Sequence, residues 1–82
     1  MDKLLEVRTK IDKIDNQIME LLDQRYDLSI EVGNIKKETK SLVFDSNREE
    51  IILNKTSKLR HSHAIKTVYT SIMKESKNIQ RK

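Results

Sequence analysis

The sequence contains no cysteine, proline or tryptophan, and Gly33 is its single glycine. Without cysteine there is no disulfide framework, no thiolate nucleophile and no cysteine-ligated zinc. Strands joined by tight turns draw heavily on glycine and proline, so their scarcity argues against sandwiches, barrels and glycine-rich nucleotide loops. One phenylalanine and two tyrosines poorly supply the stacking platforms that single-stranded nucleic acid needs. No run of about 18 apolar residues is present, so no transmembrane helix is expected. The charged start, Asp2-Lys3-Leu4-Leu5-Glu6, lacks the apolar core of a signal peptide, and the chain reads as cytoplasmic.

What remains is a polar all-α chain of 82 residues, 37% charged and 35% hydrophobic. That composition gives one small domain, residues 1–82, with too little core for a comfortable monomer. Seventeen Lys and Arg against 13 Asp and Glu give a formal charge of +4. Such a balance attracts nucleic acid or anionic membranes, but equally a small anionic metabolite. The signs are interspersed except in the tail Lys77–Lys82, which reads as a solvated helix end.

The first half carries an apolar seam at Leu4, Val7, Ile11, Ile14, Ile18, Leu21, Leu28, Val32 and Ile35. The steps alternate between three and four, the a/d pattern of about five heptads. Asp2 is placed to cap the start, and helix formers continue to about Glu38. A helix of that length spans roughly 50–55 Å, far more than a compact chain of this size can cover. It must lie along another helix, most simply its copy in a homodimer. After a break at Glu38–Phe44, Ser46-Asn47-Arg48-Glu49 matches an S-x-x-E capping box, which predicts a second helix from about Asn47 to Ser57 or Lys58. Leu59–Ser62 forms a short connection with Ser62 as a cap. A third helix then carries Ile65, Val68, Tyr69, Ile72, Met73 and Ile79 on one face.

Polar residues that interrupt this pattern are the candidate site. Arg25 stands in the seam, where a buried guanidinium must either find an anion or fix helix register. Lys36, eleven residues on, shares the Arg25 face about 16 Å away, so the two can bracket a small dianion. Alternatively, Lys36 simply complements the helix C-terminus. Arg8 lies too far along and around the helix to serve the same pocket within one chain. In an antiparallel dimer, Arg8 of one copy can approach Arg25 of the other; otherwise it is a surface arginine. Ser76 and Gln80 follow Ile72 at steps of four and face a polar cavity or a fraying end. Asp45, Arg48 and Glu49 open the second helix, with Glu49 explained as the capping-box partner of Ser46. His61 and His63 have no companions at metal-ligand spacing and read as surface residues.

Five fragments acquire meaning jointly: Arg8-x2-Ile11-Asp12-x-Ile14-Asp15, Leu21-Leu22-x2-Arg25, Glu31-Val32-Gly33-x2-Lys36, Asp45-x2-Arg48-Glu49 and Ser76-x3-Gln80. In order and spacing the chain resembles the all-helical class of chorismate mutase along nearly its whole length. The resemblance implies an intertwined homodimer of three-helix chains that converts chorismate to prephenate by a Claisen rearrangement, on the route to phenylalanine and tyrosine. It implies that Arg25 and the partner's Arg8 hold the two substrate carboxylates, supported by Arg48 and Ser76. Lys36 and Gln80 would donate to the ether oxygen, and Glu49 with the backbone near Asp45 would orient the ring hydroxyl. No cofactor, metal, nucleic acid or membrane is expected, because the rearrangement needs conformational confinement and donors at the ether oxygen. The chain ends two residues after Gln80, so a monofunctional enzyme is expected. Leu42-Val43-Phe44-Asp45 lacks the proline that family members often carry there, which predicts a looser loop. An isochorismate-pyruvate lyase would share the arginine cage, but its pocket is more apolar where this chain has Glu49 and Ser76. A basic helical dimer binding nucleic acid or a partner helix would account for the heptads, but not for Arg25 or the Ser76/Gln80 pair.

Overall fold

A computed structural model describes residues 2–82. It contains three helices, α1 (Lys3–Thr39), α2 (Ser46–Thr56) and α3 (Ser62–Gln80), and no strand among the described residues. Asp2 starts α1, its carboxylate accepting from Leu4 N–H at 2.9 Å, as an N-cap should. Thirty-seven residues follow without interruption, because neither proline nor a mid-helix β-branched cluster breaks the run. The helix ends at Lys40, which adopts a left-handed conformation with φ 55°. Ser41 N–H donates to the Lys36 carbonyl at 2.9 Å and Lys40 N–H to Lys37 at 3.4 Å. These bonds form a Schellman motif without its customary glycine.

The molecule measures 58 × 24 × 14 Å with a radius of gyration of 16.1 Å, against about 12 Å for a compact chain of this length. Its long dimension is α1. Both α1 and α2 pack on α3, and not on each other, which leaves a gap between them floored by α3. No described helix is long and apolar enough to cross a membrane.

The seam predicted on α1 is real as a stripe but uncovered within the chain. All nine of its apolar residues remain 39–61% exposed. The buried residues of α1 are instead Ser29 and Gly33, one turn apart on the adjacent stripe. Ser29 lies against Ser76, and Gly33 against Gln80, so α1 and α3 run parallel. Small residues let the two backbones approach closely. A Cβ at position 33 would stand 2.7 Å from the Gln80 carbonyl oxygen and 2.8 Å from its Cα. Both are backbone atoms that cannot rotate aside, so Gly33 is required by packing.

Two capping expectations are corrected. Asp45, not Ser46, caps α2, with its Oδ1 accepting from Arg48 N–H at 3.0 Å. Aspartate is at least as good a cap as serine, and the frame therefore begins one residue earlier, with Ser46 already helical. Glu49 is consequently released from capping. Ser62 is likewise the first residue of α3, and His61 holds the N-cap position without a side-chain bond. The second helix ends at Thr56, with Ser57 as its C-cap. On α3 the buried residues are Ile72, Met73 and Ser76, whereas Val68, assigned to the same face, is 56% exposed.

Alanine is favoured over glycine by about 1 kcal/mol inside a helix, yet Gly33→Ala is expected to lower the thermal midpoint because the added methyl group forces α1 and α3 apart. A melt of the variant that rises above the parent would contradict this reading of the contact.

Candidate active site

The gap between α1 and α2 is a cavity of about 400 Å³. Arg25, Ser29 and Lys36 reach it from α1, Arg48 and Glu49 from α2, and Ser76, Lys77 and Gln80 from α3. The connecting segment adds Val43 and Asp45, and Leu28, Val32, Ile52 and Met73 supply an apolar lining. Seven of the sequence-predicted site residues thus meet in one place: Arg25, Lys36, Asp45, Arg48, Glu49, Ser76 and Gln80. Arg8 does not line it and is exposed near the other end of α1, as the seventeen-residue separation from Arg25 requires.

Helix register produces this convergence. Arg25, Ser29 and Lys36 recur at steps of four and seven and so lie on neighbouring positions of one face. Arg25 Nη1 donates to Ser76 Oγ at 2.6 Å. Ser29 Oγ is 3.2 Å from Ser76 Oγ and 3.1 Å from the Arg25 carbonyl, so its single hydroxyl hydrogen serves one of them at a time. With Ser76 accepting from Arg25, the Ser76 hydrogen remains available to a ligand oxygen. The guanidinium, half-buried and able to donate five hydrogen bonds, uses one of them here and keeps others for an anion.

Lys36 Nζ donates to the Val43 carbonyl at 2.8 Å. An ammonium has three hydrogens, so this bond aims the side chain while leaving two donors free. The proline-free segment before α2 is tied down at three successive residues: Val43 by Lys36, Phe44 by Lys77, whose Nζ lies 5.0 Å from the ring centroid, and Asp45 by its cap. Glu49 Oε2 pairs with Lys77 Nζ at 2.9 Å. Gln80, whose backbone packs against Gly33, is the last residue of α3, and its Oε1 is buried without a hydrogen-bond partner among the described residues. A buried acceptor left unpaired costs about 1–3 kcal/mol; the donor of the same amide is its Nε2.

Sequence reasoning missed Ser29, Val43 and Lys77. A backbone carbonyl such as that of Val43 carries no residue signal, and Lys77 was grouped with the basic tail. Its spacing beside Ser76 and three residues before Gln80 was the available clue.

Across residues 7–81 the chain matches the model of one family, chorismate mutase type II. The chain belongs to that family. A chorismate mutase of Methanocaldococcus jannaschii is 37% identical over 65 residues, covering 79% of this chain and 66% of that protein. A bifunctional chorismate mutase/prephenate dehydratase of Aquifex aeolicus is 36% identical over 59 residues, 72% of this chain but 16% of the longer protein. The chain therefore matches only part of the length of these curated relatives. Among solved structures, a conserved hypothetical protein from Pyrococcus furiosus superposes with a TM-score of 0.82 at 34% identity, covering 98% of this chain and 99% of that one. The matched region of the family model includes every candidate site residue from Arg8 to Gln80.

Ser76→Ala removes the partner of a half-buried guanidinium, and hydrogen bonds to charged groups contribute about 1.5–3 kcal/mol. Urea unfolding of this variant is expected to show a loss of at least about 1 kcal/mol. An unchanged midpoint would mean that water replaces the hydroxyl at no cost.

Proposed function

We propose that the chain catalyses the rearrangement of chorismate to prephenate, with the cavity between α1 and α2 as its active site. The observation that carries this reading is the convergence of two arginines, two lysines, two serines and the Gln80 amide on one cavity. Such a set suits a small dianion. It contains no arrangement of nucleophile and base, and the rearrangement calls for none. As the ether C–O bond breaks, a C–C bond forms within the same molecule, so atoms and charge are conserved without external help.

In this reading Arg25 holds one carboxylate, with Ser76 and Arg48 completing its surroundings. Fixing the flexible side chain over the ring converts a rare conformer into the bound one. Lys36 and Gln80 donate to the ether oxygen, where negative charge grows as the bond stretches. Donors already aimed at that position need not reorganise during the reaction. The Val43 carbonyl keeps Lys36 aimed, and the Gly33 contact keeps Gln80 within reach although it closes the last turn of α3. Glu49 and the backbone at Asp45 orient the ring hydroxyl.

The second carboxylate falls to Arg8 of a partner chain. Two features support a homodimer: the uncovered seam along α1, and a single-chain cavity that lacks Arg8. Pairing the seams antiparallel covers the apolar stripe and carries each Arg8 towards the other chain's Arg25.

Incubation of the purified protein with chorismate is expected to yield prephenate, identified by NMR. Lys36→Ala should retain substrate binding but lose roughly two to three orders of magnitude in kcat, the usual effect of deleting a donor to a developing oxyanion. Turnover equal to the parent's would refute the role of Lys36, and recovery of unchanged chorismate from the parent would refute the activity itself.

A further inference from the structure

Lys77 belongs to none of the roles above, yet its ammonium sits at the wall of the cavity. It is 2.9 Å from Glu49 Oε2 and 5.0 Å from the centroid of the Phe44 ring. One side chain from α3 thereby touches α2 and the segment that precedes it. Lys77 and Glu49 are equally shielded, each side chain 24% exposed. As a structural element the pair is unremarkable, since ion pairs of this exposure add little to stability.

Its meaning comes from the charge of the cavity. Four cations line it, Arg25, Lys36, Arg48 and Lys77, against the carboxylates of Asp45 and Glu49. Asp45 Oδ1 is occupied by the cap of α2. Glu49 has no such task, and an uncompensated carboxylate in a site for a dianion would repel its ligand. With Oε2 held by Lys77, Glu49 is neutralised locally and its rotation is restricted, while Oε1 has no partner among the described residues. The phenyl ring under the ammonium limits Lys77 in turn.

We propose that Lys77 is a positioning residue, which holds the Glu49 carboxylate in place to accept the substrate's ring hydroxyl and cancels the charge that would otherwise oppose a dianion. This rests on the chorismate mutase reading of the site. The ring hydroxyl is neither made nor broken in the rearrangement, so the contact is of similar strength in the ground and transition states. Loss of such uniform binding raises KM with little change in kcat.

The test is a double-mutant cycle on the full chain, with chorismate as substrate. Lys77→Met is expected to lower kcat/KM about tenfold, mostly through KM, while Lys77→Arg, which can also pair and stack, stays within about threefold of the parent. In a Glu49→Gln background, Lys77→Met should cost less than about twofold more, because its effect passes through Glu49. Lys77→Gln repeats the measurement with a polar neutral side chain, so that a folding defect peculiar to methionine does not decide the outcome. A parent-like KM in both neutral variants, or a full tenfold loss persisting beside Glu49→Gln, overturns the proposal while leaving the mutase reading intact. Absence of prephenate from the parent itself overturns both.

Discussion

A helix of 37 residues cannot be covered by companions of 11 and 19. The elongated shape and the exposed seam of α1 follow from that mismatch. The apolar seam on α1 would contribute roughly 25 cal/mol for each Å² removed from water, but within one chain that contribution is only partly realised. α3 packs on a neighbouring stripe, through Ser29 and Gly33, and leaves the seam exposed, with its residues Leu28 and Val32 lining the cavity. The same α1 therefore builds the cavity wall on one side and presents an exposed apolar stripe beside it; in the proposed homodimer a second copy covers that stripe.

The close α1–α3 contact decides where the candidate site lies. Gly33 admits the Gln80 backbone to within van der Waals distance, and Ser29 admits Ser76, so the polar end of α3 is held beside Arg25 and Lys36. α2 is then hung on α3 alone, at a distance from α1 that leaves room for a small molecule. A larger residue at either small position would close the helices differently and move the donors. Thus the lone glycine shapes the cavity without lining it.

Much of this was legible in the residues. The heptad spacing of α1, the polar Arg25 within it and the four-residue step from Ser76 to Gln80 single out residues that the structure brings together on one cavity. The capping of α2 was displaced by one residue because Asp45 and Ser46 are both good caps, and local propensity alone does not choose between them. That choice had a consequence, since it changed Glu49 from a cap partner into an acid with a free oxygen facing the question of what it binds. Lys77 was hidden by composition, as one more cation in a basic tail. Only the packing of α3 reveals that it turns inward while Arg81 and Lys82 remain exposed. The Val43 carbonyl could not have been read at all, because any residue at that position presents the same group.

The central claim is that each active site is completed by Arg8 from a second copy of the chain. Co-refolding Arg8→Ala with Lys36→Ala tests it directly. Each variant alone has both sites damaged, but a mixed dimer unites the intact Lys36 of one chain with the intact Arg8 of the other. Random pairing makes about half of the dimers mixed, each with one restored site, so the mixture should regain about one quarter of the parent's activity. Activity no greater than the mean of the two separate variants would contradict a shared site.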